Sequence, residues 1–159
     1  MVPMQKGTGA EADVHVEAPP EVVYAVVSDV TRMGEWSPET IKCEWLDGAV
    51  GPAVGARFKG SNKRGIVRWS TKPNVVAADP GALFAFEVGP DVRWTYRFEA
   101  EGTGTRLTES FEMLRDVQWY YAFAERWLMG VKDRRADLHR GMTETLEHMK
   151  RVIESQSSS

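Results

Sequence analysis

One carboxylate stands out among the residues that could do chemistry. In TRLTESFEML (Thr105 to Leu114), alternation puts Leu107, Glu109, Phe111 and Met113 on one side of a strand and Arg106, Thr108, Ser110 and Glu112 on the other. Ionising a carboxyl group in an apolar row is expensive, so such a group is paired, protonated or in contact with a wet cavity. Glu109 either lies near a strand end and reaches water, or pairs with an arginine such as Arg135, or meets a ligand. A phenol falls in similar company. In VRWTYRFEA (Val92 to Ala100), Trp94, Tyr96 and Phe98 share one face, opposite Arg93, Thr95, Arg97 and Glu99. No catalytic set is assigned from these patterns. Were a reaction to occur, Glu109 and Tyr96 would be the groups to shuttle a proton, with Arg135 or Arg68 anchoring a carbonyl or carboxylate.

Other chemistries find little support. The chain holds three histidines, His15, His139 and His148. His15 shares a face with Asp13 and Glu17 and is expected to point to solvent, and the other two fall off the apolar stripe of the last helix. No histidine stands at ligand spacing from a second, so neither a metal site nor a histidine-based triad is expected. Cys43 is the single cysteine. It can form no internal disulfide and reads as a buried thiol in a reducing cytoplasm. No serine sits in a nucleophile elbow, and Gly51, Gly55 and Gly60 form no phosphate loop. No cofactor is implied. Net charge is −3 with both signs mixed along the chain, so no nucleic-acid partner is expected. No apolar run approaches the ~18 residues of a membrane span, and MVPMQKGTGAEA lacks an apolar signal core.

The elements that must hold these residues can be read from periodicity. ADVHVE (Ala12 to Glu17) alternates as a strand, and Pro19-Pro20 ends it and opens a helix to Ser28 in which Val22, Val23, Val26 and Val27 recur at helical spacing. Asp29 can cap a second short turn toward Gly34. Strands are expected over Ile41–Asp47, Ala56–Asn62, Gly65–Ala77 (Pro73 marking a bulge or edge), Leu83–Val88, Val92–Ala100 and Thr105–Leu114. Their short connections imply antiparallel neighbours. A helix over Val117–Met129 is followed by the longest periodic stretch, Val131, Arg135, Leu138, Met142, Thr145/Leu146, Met149 and Ile153, one stripe of a long helix. The resulting class is α+β: a twisted antiparallel sheet of about seven strands covered on its apolar face by the C-terminal helix. Residues 1–10 read as a flexible tail, 11–154 as one domain and 155–159 as a frayed end.

Six Trp, six Phe and four Tyr are many for 159 residues. Aromatic rings either fill a core or line a hollow for an apolar guest. The stretch SDVTRMGEWSPE (Ser28 to Glu39) sets Met33 and Trp36 where a helix gives way to a loop, before Pro38. EAPPEVVYAVVSDVTRMGEWSPE, GTRLTESFE and RRADLHRGMTETLEHMKRVIE together resemble the START-like SRPBCC superfamily, and within it the polyketide cyclase/dehydrase group of small bacterial proteins. The likeness runs from about Ala12 to Glu154. It implies a helix-grip fold, in which a curled sheet grips the last helix around a deep hydrophobic pocket, and a small lipid, polyketide or similar molecule as the partner. It carries over no catalytic signature. On that reading Met33 and Trp36 either cap the open end of the grip or plug a corner of the core.

The expected ligand-binding residues are Trp36, Phe58, Trp69, Phe86, Trp94, Tyr96, Glu109, Phe111, Arg135, Leu138 and Met142. Three roles stay open: binding of a hydrophobic molecule, a cyclase or dehydratase reaction on it, and protein interaction. The third rests on VQWYYAFAERW (Val117 to Trp127), whose five aromatics exceed one narrow stripe and suit a gate or a homodimer surface around Trp119 and Tyr120.

Overall fold

The computed structural model describes residues 6–7, 9–37, 39–115 and 134–157, with side chains in the last helix from 139 to 156. The expected helix over Val117–Met129, with its gate or dimer surface, lies outside the described residues.

Strand β1 (Gly9–Val16) is followed by α1 (Pro20–Val27) and a 3-10 turn (Val30–Glu35). Pro20 opens α1, where its missing N–H costs nothing. Ser28 closes it, with both its N–H and its hydroxyl donating to the Tyr24 carbonyl. The buried stripe of α1 is Val23, Tyr24, Val26 and Val27, while Val22 faces out. Tyr24 replaces the expected Val22 because its ring meets Phe98 and Phe84 edge-on, at 5.4 and 6.5 Å between centroids. Asp29 caps the 3-10 turn as expected, accepting from the Thr31 N–H at 3.1 Å.

Among the described residues eight strands form two antiparallel sheets. A three-stranded sheet has the order β2 (Thr40–Trp45), β3 (Phe58–Arg64), β4 (Val67–Thr71). A five-stranded sheet has the order β1-β8-β7-β6-β5, built from β5 (Asn74–Asp79), β6 (Leu83–Val88), β7 (Val92–Glu101) and β8 (Gly104–Met113). The expected single strand Gly65–Ala77 is two strands in different sheets. The chain breaks at Pro73, which has no N–H for a ladder and instead accepts from the Phe58 N–H at 3.1 Å. The sheets are joined there by an Arg57–Asn74 bridge and by the Val75 N–H on the Ala56 carbonyl at 2.8 Å.

The last helix, α2 (Arg134–Ser157), lies across β1. Its buried stripe is Met142, Thr145, Leu146, Met149 and Ile153, the spacing expected of it. Polar contacts fix its position. Lys150 Nζ donates to the His15 carbonyl at 2.6 Å and pairs with Glu154, whose carboxylate accepts from the Glu17 N–H at 2.8 Å. His148 Nδ1 donates to the Trp36 carbonyl at 3.1 Å, and Arg32 reaches Gln156. The outcome is a helix-grip fold. Among the described residues no helix is long and apolar enough to cross a membrane.

β1 closes onto β8 with almost no tolerance at the β7–β8 turn. A Cβ on Gly104 would stand 2.3 Å from the Val16 carbonyl oxygen and 2.8 Å from the His15 ring. Gly104→Ala is therefore expected to destabilise the fold by about 2 kcal/mol or more, as clashes in a fixed backbone do. Urea unfolding of the two proteins, followed by circular dichroism, checks this. Gly141→Ala, at a helical position where the added Cβ would meet none of the described residues within 4 Å, is expected to be neutral or mildly stabilising.

Candidate functional site

The inner face of the main sheet is laid out in rows by strand register. One row is Val14, Leu107 and Phe98. The next is Ala12, Glu109, Tyr96 and Phe84, and the next is Ala10, Phe111, Trp94 and Phe86. Among the described residues the buried apolar side chains fall into two groups. The larger holds Leu107, Phe98, Tyr96, Phe84 and Phe86 with Leu146, Met149 and Ile153 of α2. The smaller holds Phe111, Met113 and Met142. Only Ala12 and Trp94, among the described residues, pack against both. Glu109 sits on β8 between Leu107 of one group and Phe111 of the other.

The Glu109 side chain is 2% exposed. It does not escape to water, and its Oε1 is buried with no hydrogen-bond partner among the described residues. Its polar neighbour is Tyr96, directly across the ladder, whose phenol lies beside the carboxyl group. Burial is the dominant influence on Glu109 and pushes its pKa up to about 8, with the neighbouring Tyr96 hydroxyl acting the other way. Burial and the adjacent carboxyl raise the Tyr96 phenol as well. At neutral pH the site is a neutral acid and a neutral phenol side by side among aromatic rings.

Those rings are continuous. Trp45 meets Phe58 at 5.8 Å between centroids, Phe58 meets Phe86 at 5.3 Å, and Phe86 meets Tyr96 at 6.5 Å. The small sheet is thus joined to the carboxyl group by a file of side chains. On the other flank Trp94 and Phe111 lie 5.5 Å apart. Phe58, Phe86, Trp94, Tyr96, Glu109, Phe111 and Met142, all expected from sequence, therefore lie near one another, on both sheets and the last helix. Trp36 is 1% exposed and belongs to the larger apolar group, against which Met33 packs. Trp69 is half-buried on β4 opposite Asn62 and joins neither group. Arg68 is exposed on the same strand. Arg135 and Leu138 lie in the first turns of α2, and their side chains are outside the described residues.

The reactive side chains elsewhere are tied up. Cys43 is buried beside Met33, with sulfur atoms 3.8 Å apart, and burial raises its thiol to about 11, so it holds its proton. His15 lies on the outer face as expected, but it is half-buried between Glu101, at 2.7 Å from Nδ1, and Glu17, which hold its pKa above the ordinary value. Among the described residues no cluster of His, Cys, Asp and Glu could hold a metal ion. The Tyr96–Glu109 pairing itself had a signal in the sequence. The turn Gly102-Thr103 sets Glu101 against Gly104, and Tyr96 stands as far before it as Glu109 stands after it.

Glu109 has a calculable effect on stability. Its folded pKa is raised above the ordinary 4.5 to about 8. The folded state therefore holds a proton that the unfolded chain releases, and stability is highest below about pH 4.5 and falls as pH rises toward 8. Glu109→Gln, which cannot ionise, should gain on the parent protein across that range, by on the order of 3 kcal/mol between pH 5 and pH 8. Paired denaturation curves at the two pH values give the difference directly, and a difference that does not change with pH would contradict the burial described.

Comparison with known proteins agrees with this architecture. A Polyketide_cyc-like protein of Corynebacterium glutamicum, Cgl2372, is similar at 36% identity over 96% of this chain and 95% of its own, with a TM-score of 0.65. TTHA0849 of Thermus thermophilus is similar in fold at 14% identity, covering 94% and 99% of the two chains with a TM-score of 0.70. Major latex-like protein 151 of Panax ginseng shares the fold at 14% identity, 94% and 96% coverage and a TM-score of 0.66. No curated protein matches in sequence. Residues 8–154 match the family described as polyketide cyclase / dehydrase and lipid transport, and the chain belongs to that family, within the START-like SRPBCC superfamily.

Proposed function

We propose that the chain binds a small, largely apolar molecule on the aromatic face of the main sheet beneath α2, with Glu109 as its polar anchor. The carrying observation is a buried carboxyl group, one oxygen of which has no partner among the described residues, set between the two apolar groups those residues form. A fully buried polar atom without a partner costs free energy, and an incoming hydrogen bond recovers it. A neutral acid can donate, so a guest with a carbonyl, ester or similar acceptor oxygen on a hydrocarbon body suits it. Lipids and polyketides are of that kind, and family membership supports the reading. Burying ~200 Å² of apolar guest surface would contribute about 5 kcal/mol before association costs.

The same pair supports a second reading. A carboxylic acid that keeps its proton to about pH 8, beside a phenol, is matched to general-acid work at neutral pH. Cyclisation or dehydration of a folded polyketide needs little more than a held conformation and one such group. The two readings differ in what Glu109→Gln does. For a binder it lowers affinity, and for an enzyme it abolishes turnover while the guest still binds.

Native mass spectrometry of the purified protein is expected to show an adduct of a few hundred daltons or, if the protein emerges empty, uptake of a long-chain methyl ketone with quenching of tryptophan fluorescence. Trp94→Ala and Tyr96→Phe should weaken that uptake by about tenfold each. A bare mass together with no saturable uptake of ketone, fatty acid or aromatic polyketide overturns the proposal.

A further inference from the structure

The β3–β4 hairpin differs from the rest of the surface. The chain carries a net charge of −3, yet KGSNKRGIVRWSTK (Lys59 to Lys72) holds five cations and no acid. Gly65, at φ +61°, makes the tight turn, and the next residue, Ile66, is 99% exposed. Single exposed apolar side chains are ordinary. Here the exposed side chain stands at the apex of a hairpin, with Lys63 and Arg68 exposed opposite each other directly behind it. Thr40 pairs with Asn62, so the exposed Ile41 lies at the same end of the small sheet. Trp69 sits one pair further back, half-buried and outside both apolar groups. Of the neighbouring acids, Glu39 lies at this end of the sheet, its carbonyl accepting from the Lys63 N–H at 2.8 Å, while Glu44 faces Lys42 at 3.8 Å, further from the tip.

We propose that this hairpin tip docks on the surface of an anionic lipid bilayer. Ile66 enters the boundary between headgroups and acyl chains, Lys63 and Arg68 meet lipid phosphates, and Trp69 lies at the depth where indole rings settle. A convex apex with one long apolar side chain suits a soft planar surface better than the groove of a nucleic acid, which would reward the cations but leave Ile66 without a partner. The proposal is independent of the guest under α2, because it rests on exposure and charge in the other sheet.

The test is co-sedimentation of the full chain with vesicles of phosphatidylcholine alone and of phosphatidylcholine containing roughly a third phosphatidylglycerol. Binding is expected to the mixed vesicles only, and to fall severalfold at ~0.5 M salt, where the Debye length shrinks to a few ångströms. Ile66→Asp, and Lys63→Glu with Arg68→Glu, should each lower the partition coefficient by about tenfold or more without moving the thermal midpoint, since none of these side chains is in either apolar group. The idea fails if the parent protein stays in the supernatant with both vesicles, or if Ile66→Asp sediments like the parent. Retention on a DNA duplex without sedimentation would assign the cations to nucleic acid and overturn it too. Guest uptake by Ile66→Asp, measured alongside, separates this result from the fate of the proposed binding site.

Discussion

Every position at the candidate site depends on the ten-residue ladder between β7 and β8. Its pairing is unbroken from Glu101–Gly104 to Val92–Met113. A shift by one residue would turn Glu109 and Tyr96 to solvent and bring Arg97 and Thr108 inward, because side chains alternate with a period of two. The two-residue turn that fixes the register thus also fixes the chemistry. β8 carries a second constraint on its other edge, where β1 pairs along its full length and places Ala12 beside Glu109. With so small a residue there, the carboxyl group has aromatic rings on one flank and little bulk on the other.

The two faces of the main sheet treat charge in opposite ways. On the outer face Arg106 contacts Glu101 at 2.8 Å and Asp13 at 3.0 Å, and Glu101 in turn meets His15. These groups are all partly in water, and each pair is worth little on its own. They lower the pKa of Glu101 and raise that of His15, both toward the charged form. On the inner face a lone carboxyl group is driven toward its neutral form by burial. The same residue type is thus an ion on one side of the sheet and an acid on the other.

Much of this was legible in the sequence, and the reasons differ by element. The alternation in Val92–Ala100 and Thr105–Leu114 was long enough to assign faces, and the stripe of Met142, Leu146, Met149 and Ile153 was regular enough to name the covering helix. Glu109 was legible because a charge in an apolar row has few explanations. Pro73 was read as an irregularity within one strand, since a proline marks an interruption without saying which sheet the chain joins next. Trp69 was placed with the other rings because alternation assigns a face, and nothing local says whether that face is covered. Tyr24 was passed over in favour of Val22, since two turns of helix do not fix the rotation of a stripe. Trp36 was conspicuous as an aromatic at a helix end, and its burial is explained by contacts spread over several elements.

The pairing of β1 with β8 has a consequence for how the molecule is made. Gly9 lies opposite Glu112, so the first strand waits for nearly the whole meander before it finds its neighbour. The last helix then needs that strand to lie on, since its anchors are the His15 carbonyl and the Glu17 N–H. On a ribosome, where the amino end emerges first, this order leaves the apolar rows of the central strands without a cover until α2 has emerged. A nascent chain of this topology exposes greasy surface that chaperones can shield, and its least local step is the docking of β1 and α2 onto the meander.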